Sequence, residues 1–382
     1  MRFAGRTWRW PGWLNLNTAV WCLKGFAALW LIAQVAPAPQ HVALDPPQAV
    51  ETTAPHLCIH TRLIDEVPEF RMQQTLRAIR EMGADTIVEF FPWAYVERSR
   101  GLDDWSQPDR IFRHARNQGI RVIARLGLVP EWARQREDDT PTTFNELPVE
   151  SYDDFAAYAA RFASRYRDDL AAIIVWNEPN LTFEWGFRPV DPVEYTALLA
   201  ATAEAVRATA PNVTILAGAL APTLEPAGST TGLEDVLYLR GMLDAGAASH
   251  FDGLAVHSYG LQSAAMDSPA RDRLNFRRVE LLREVLVEYG LEAMGVWITE
   301  FGWNDHPRWA GAVTPAQRVT NTLDAYRWAG EHWPWLIKQC MWVFRYPAPA
   351  NSYPDGFVLA TTDFDLKPLY FALQAYATGS AP

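Results

Sequence analysis

A (β/α)8 TIM barrel of the α/β class, built as a single domain, is the fold this sequence predicts, on three observations. From residue 55 onward, eight short apolar runs alternate strictly with eight stretches of helical periodicity. The runs are rich in β-branched residues and apolar at consecutive positions, as strands buried on both faces of a parallel sheet are. No Gly-rich phosphate turn follows the first run, which disfavours the rival, an open doubly wound sheet.

The first strand is expected over 56–60, and its helix over 69–82 with Gly83 as the C-terminal stop. The second strand, 86–90, leads through Phe91-Pro92-Trp93 into a long loop, then a helix ending near Asn117 before Gly119. Strand three, 121–126, opens into Val129-Pro130-Glu131-Trp132. Phe155, Ala159, Phe162 and Tyr166 then form the stripe of an amphipathic helix. Strand four is the run Leu170-Ala171-Ala172-Ile173-Ile174-Val175, followed by Trp176-Asn177-Glu178-Pro179-Asn180. Its helix starts at Asp191-Pro192, an N-cap with proline at the first position and Glu194 three residues on. Strand five is expected over 213–217 with a helix over 233–243, and strand six over 253–257 with a helix over 271–289. Strand seven, 295–299, ends on Glu300 and Phe301-Gly302-Trp303, and Thr314-Pro315-Ala316-Gln317 opens its helix with a capping box. Strand eight is read over 339–344, and 368–377 closes the chain as the last helix.

Two strands thus end on a carboxylate, Glu178 after strand four and Glu300 after strand seven, each beside tryptophan. Pro179 cannot donate to a ladder, so pairing stops there and Glu178 sits at the strand's C-terminal tip. In a β/α barrel the C-terminal tips are where chemistry takes place. Hydrolysis of a glycosidic bond needs one carboxylic acid to protonate the leaving oxygen and one carboxylate to attack or to activate water. A separation of about 5–5.5 Å makes the reaction retaining, through a covalent glycosyl-enzyme.

Composition sets bounds on the partner. The chain has 382 residues, 49% hydrophobic, enough for a large core and too apolar for wholesale disorder. A net charge of −11 argues against nucleic acid or an anionic membrane surface. Seventeen tryptophans and thirteen tyrosines suit a protein that stacks on sugars, although tryptophan also packs cores.

Residues 1–38 read as a secretory signal or a retained N-terminal membrane anchor, with 39–54 as a Pro-rich linker and 55–382 as the barrel. Arg2, Arg6, Arg9 and Lys24 precede any acidic residue, and 25–36 is an apolar run too short for a comfortable span. A membrane tether would run through 18–36. The expectation is therefore a secreted or cell-envelope protein. Of three cysteines, Cys22 falls in the leader; Cys58 and Cys340 are expected as free buried thiols, one mid-strand and the other near its strand's start.

The pairing of Asn177-Glu178-Pro179 with Thr299-Glu300-Phe301-Gly302 resembles the signature of clan A glycoside hydrolases, nearest in layout to families related to family 39 and family 5. The similarity spans the barrel, including Asp355-Gly356-Phe357 and Lys367-Pro368. It implies a retaining β-glycosidase with Glu178 as general acid/base, Glu300 as nucleophile and Asn177 as donor to the sugar 2-hydroxyl. It also implies that Tyr259 contacts the nucleophile and that Trp342 is the platform under the reacting sugar, a core role being the alternative. His257 shares a face with Tyr259, either touching sugar or lining the mouth as a hydrogen-bonded histidine. His60, Trp93 and Trp303, with Trp132, Trp185 and Trp309, are further substrate-binding candidates near the C-terminal face.

One departure concerns strand two. Many clan members carry an arginine there, and Ile87-Val88-Glu89-Phe90 has none; Arg125 on strand three either substitutes or pairs with Glu89 structurally. The long aromatic loops favour endo action on a β-linked polysaccharide or oligosaccharide. An exo-glycosidase, an envelope transglycosylase and a non-catalytic sugar-binding barrel are the alternatives. The expected protein is a monomer that needs neither metal nor organic cofactor.

Overall fold

The structure, a computed structural model, describes residues 42–66, 68–134, 142–347 and 352–379, together with Trp21 and Lys24. The leader and most of the tether read from the sequence lie outside the described residues. No described helix is long and apolar enough to cross a membrane.

Eight parallel strands close a barrel in sequence order. They are β1 (Leu57–His60), β2 (Thr86–Pro92), β3 (Arg121–Gly127), β4 (Leu170–Val175), β5 (Ile215–Leu220), β6 (Gly253–Tyr259), β7 (Gly295–Gly302) and β8 (Leu336–Met341). The helices that follow them are α1 (Glu69–Met82), α2 (Ser106–Asn117), α3 (Tyr152–Tyr166), α4 (Pro192–Thr209), α5 (Asp235–Asp244), α6 (Val279–Glu288), α7 (Pro315–His332) and α8 (Pro368–Thr378).

Alternation along each strand sorts side chains into two cores. Cys58, Val88, Ile123, Ile174, Leu216, Ala255, Trp297 and Cys340 fill the barrel interior. Their neighbours Leu57, Ile87, Val122, Ile173, Ile215, Leu254, Val296 and Met341 face the helices. The same period puts His60, Arg125 and His257 inward, each two residues beyond an interior residue and so at the barrel mouth. β7 breaks the pattern. Val256 pairs with Ile298 but His257 pairs with Glu300, so one extra residue on β7 resets the alternation. Counting by twos from Trp297 would have aimed Glu300 at the helices; the irregularity turns it to the mouth.

Capping follows the sequence closely. Gly83 ends α1 in the left-handed region at φ 91°, and Thr314 and Gln317 form the reciprocal box at α7. At α4 the Asp191 carboxylate accepts from Val193 N, while Glu194 instead takes Arg188 at 3.1 Å. The helix expected over 271–289 is shorter. Asn275 donates to the carbonyls of Asp267 and Ser268, and Arg278 to those of Ala270 and Arg271, so these carbonyls are not in helical bonds. Regular α-helix begins only at Val279.

The expectation of free thiols is corrected. Cys58 and Cys340 form a disulfide, with Cα atoms 4.1 Å apart. The error lies in β8, which runs three residues earlier than read from the sequence. Cys340 therefore sits near the strand's end, directly in register with Cys58 on β1.

Candidate active site

Glu178 lies three residues past the end of β4, in a segment held by unusual backbone. Trp176 and Glu178 both have positive φ, 75° and 43°, conformations that bulky residues adopt only when surroundings enforce them. Those surroundings are visible. Trp176 N donates to Leu126 O, Glu178 N to Ala219 O, and the Trp176 indole to Glu184 O at 2.7 Å. The fully buried Asn180 braces the far side, exchanging bonds with both backbone groups of Ala221 at 2.9 Å. Tyr195 of α4 bridges Val175 O and Gly218 N behind the strand.

Glu300 and Glu178 share one histidine. His257 Nδ1 lies 2.7 Å from Glu178 Oε1 and 3.6 Å from Glu300 Oε2. The two carboxylates are therefore no farther apart than the sum of those distances. Their surroundings differ. Glu300 Oε1 accepts from Arg125 Nη1 at 2.6 Å and faces His60 Nε2 at 3.3 Å, and Oε2 accepts from Tyr259 Oη at 2.7 Å. Glu178 has, among the described residues, only His257 as a side-chain partner.

Electrostatics follow from those contacts. Burial alone would raise the Glu300 carboxyl, but His257, His60 and Arg125 outweigh it and hold the group well below the usual carboxylate range. Burial lowers the His60 imidazole to about 4, so it is neutral at neutral pH. For His257 burial acts downward too, yet the charges of Glu300 and Glu178 win and raise it. Burial and then the Glu300 charge push the Tyr259 phenol up, leaving it a donor across the physiological range.

Arg125 answers the question left at strand two. Its Nη1 also donates to Asn177 Oδ1 at 2.7 Å, and the guanidinium lies over the Phe90 ring. The alternative pairing with Glu89 is corrected. Arg125 is registered beside Phe90, whereas Glu89 is beside Ala124, whose side chain faces the helices. Glu89 is turned to that outer side, where Thr61 Oγ1 and the backbone N–H groups of Leu63 and Ile64 donate to it. Burial raises it to about 7 all the same.

The aromatic candidates divide. Trp342, half-buried beside β8, packs with Phe357 at 5.1 Å and Tyr346 at 5.8 Å, and Trp309 meets the exposed Tyr353 edge-on. His60, Trp93 and Trp303 are corrections as substrate contacts: none has any exposed surface with which to meet a ligand, and His60 faces Glu300 instead. The Trp93 indole bonds Glu97 and stacks on Tyr158 between β2 and α3; that of Trp303 bonds Ser263 O. Trp185 is likewise buried against Glu194, and Trp132 donates to Glu97 O beneath the β3 loop. Much of the tryptophan excess is thus packing.

Sequence reasoning missed Glu184. Its carboxylate accepts from Asn145 Nδ2 at 3.2 Å and lies close enough to Asn177 and Glu178 to feel both. Burial and then the Glu178 charge raise it to about 7. An acidic residue six positions past Glu178, wedged between Phe183 and Trp185, was the available signal. Among the described residues no cluster of histidine, cysteine and acidic side chains is arranged to hold a metal.

No protein-family model matches the chain, and no curated protein matches it by sequence. Solved structures do resemble it. A family 39 glycoside hydrolase from Bacteroides cellulosilyticus WH2 superposes with a TM-score of 0.66 at 20% identity, over 85% of this chain and 63% of that one. The chain thus spans under two thirds of that enzyme's length. A family 5 (subfamily 18) protein from Streptomyces cattleya, in complex with GlcNAc, gives 0.59 at 17% identity, over 86% and 80%. A family 30 endoxylanase from Clostridium papyrosolvens C71 gives 0.56 at 15% identity, over 87% and 73%. What the chain shares with these three structures is the fold, a closed eight-stranded β/α barrel.

Proposed function

We propose that this barrel is a retaining glycoside hydrolase that cleaves β-glycosidic bonds, with Glu300 as nucleophile and Glu178 as general acid/base. The observation that carries the reading is the unequal treatment of two adjacent carboxylates. Glu300, with four side chains at its two oxygens, is held ionised; Glu178 meets only one of them, His257. Their shared contact with His257 brings Glu178 Oε1 and Glu300 Oε2 to one nitrogen, at 2.7 and 3.6 Å, and this closeness of the two carboxylates supports retention.

The steps follow from these roles. Glu300 Oε attacks the anomeric carbon from the face opposite the leaving group, and the glycosidic C–O bond breaks as Glu178 protonates the departing oxygen. A glycosyl-enzyme ester on Glu300 results. Glu178, now ionised, takes a proton from water, whose oxygen displaces Glu300 and restores the original β configuration. Arg125, bonded to both Glu300 and Asn177, fixes the nucleophile relative to the amide that would meet the 2-hydroxyl. Trp342 would floor the site.

Endo action on a polysaccharide is part of this reading, supported by half-exposed and exposed rings at the loops, Trp309, Tyr353, Phe183 and Phe187 among them. So is work outside the cytoplasm, with residues 1–38 as export signal or tether. The Cys58–Cys340 disulfide supports it, because such bonds persist in oxidising compartments. The test is product NMR at early time points with a panel of β-linked polysaccharides. A β-anomer appearing first is expected; an initial α-anomer would exchange retention for inversion. Size analysis of the same products separates internal cuts from removal of terminal units.

A further inference from the structure

The loop after β4 carries a ring for which the barrel core has no use. Phe187 follows Glu178 on that loop, is 70% exposed, and has φ 59°. A bulky side chain in the left-handed region costs backbone energy, and burial of this ring offsets little of it. The loop nevertheless holds it there, with Phe187 N donating to Thr182 O at 2.6 Å. Strain kept at an exposed position is characteristic of ligand contacts.

Phe187 lines a groove of about 430 Å³ between the loops after β4 and β5, a volume within the range of ligand pockets. Val190 and Leu233 give the groove apolar surface, and Thr182, Ser229 and Thr230 supply hydroxyl groups. The two loops are joined. Leu181 pairs with Gly232 in an antiparallel bridge, and Thr182 N donates to Thr231 O at 3.1 Å. The loop after β5 is closed on itself, with Glu234 N on Glu225 O at 2.7 Å and Ser229 Oγ on the Glu225 carboxylate. The same frame reaches the acid/base, because Leu181 N donates to Glu178 O at 2.9 Å.

The direction of the proposed reaction decides what would lie there. Glu300 on β7 takes the anomeric carbon from one face, and the leaving oxygen departs from the other towards Glu178 on the β4 loop. The rest of the leaving group then continues past Glu178, over the loops after β4 and β5. We infer that the Phe187 groove is a leaving-group subsite, which binds a sugar unit of the departing β-linked chain with its C–H face on the ring. The inference rests on the hydrolase reading above. A pyranose has an apolar face and a rim of hydroxyls, and the groove sets an aromatic ring beside hydroxyl groups. An alkyl leaving group would use the ring but not those hydroxyls.

The test reads how the glycosyl-enzyme divides between water and an added sugar. The dinitrophenyl β-glycoside that the wild type turns over fastest loads Glu300, and cellobiose, xylobiose or mannobiose is the acceptor. In transfer an acceptor hydroxyl gives its proton to Glu178 while its oxygen displaces Glu300, as water does in hydrolysis. Both products come from one intermediate, so their ratio reports acceptor binding whatever the rate at which the intermediate forms. In the wild type the ratio of transfer to hydrolysis should rise with at least one disaccharide. Phe187→Ala should lower it about two- to tenfold, the worth of one aromatic contact, and Phe187→Tyr should keep it. Phe371→Ala, which removes another exposed ring, from α8, should leave it unchanged. No transfer to any of the three by an active wild type, an unaltered ratio in Phe187→Ala, or an equal loss in Phe371→Ala would overturn the inference. So would transfer to 1-hexanol, and not to the sugars, that depends on Phe187. Failure of the wild type to turn over any aryl β-glycoside is a separate result, which would overturn the hydrolase reading and this inference with it.

Discussion

Arg125→Met removes the only arginine bonded to Glu300 among the described residues and keeps most of the side-chain volume. With charge centres about 4 Å apart and an effective dielectric near 20, the lost attraction is about 4 kcal/mol, equivalent to about three pKa units. His60, Tyr259 and His257 remain at the carboxylate and absorb part of it, so the expected rise for Glu300 is about one to two units. The sign follows. In the wild type Glu300 is depressed, so its contribution to stability is present above the unfolded carboxylate value and is lost as pH falls through the folded one. In the variant that contribution shrinks or reverses, so the loss of stability is largest near neutral pH and smallest in acid. Breaking a buried pair on one side costs about 3–5 kcal/mol, which bounds the neutral value. In kinetics, the acid limb of kcat/KM should move up by the same one to two units. The plateau should fall about 10²–10³-fold, because Asn177 loses its orienting partner as well. Profiles between about pH 3.5 and 8, with melts over the same range, read both effects. An acid limb that stays in place would refute the claim that Arg125 holds the nucleophile ionised.

The two glutamates should separate cleanly. Glu300→Ala should fail on every substrate, whereas Glu178→Ala should keep glycosylation by activated aryl glycosides, lose about 10²–10⁴-fold on natural polysaccharide, and yield a β-glycosyl azide with added azide. An α-azide made by Glu300→Ala would reverse the roles. Replacing both Cys58 and Cys340 with alanine should cost up to about 5 kcal/mol on chain-entropy grounds, since the bond joins residues 282 apart, and thermal melts will show it. Alkylation of Cys58 and Cys340 in denatured, unreduced wild type would contradict the bond itself. Gly260→Ala drives a methyl group into the Trp303 indole and should cost about 1–3 kcal/mol or more. A melting temperature equal to wild type would show that Trp303 yields without penalty.

Local chemistry made much of this molecule legible in its sequence. The run that forms β4 is bounded to the residue by its own composition, an apolar β-branched stretch from Leu170 to Val175 that the left-handed Trp176 follows. The stop at Gly83 and the box at Thr314 rest on backbone needs that few residues meet. The side of a strand was harder. Alternation on β2 and β3 would have separated Glu89 from Arg125, but nothing in the sequence near Thr299 announces the extra residue that turns Glu300 inward. β8 was misframed because Val343 and Phe344 look more like a strand than Lys338 does; the lysine's ammonium reaches Pro55 O and Asp85 at the bottom of the barrel. Composition misled on Trp93 and Trp303, whose role depends on partners distant in sequence.

The bond between Cys58 and Cys340 joins the first strand to the last, so most of the barrel is one covalent ring. A protease that cuts once between those residues opens the ring but releases no fragment. Both new ends stay tethered, and the strands they carry remain at high effective concentration for one another. A loop at the mouth can be nicked and the two pieces still travel as one molecule.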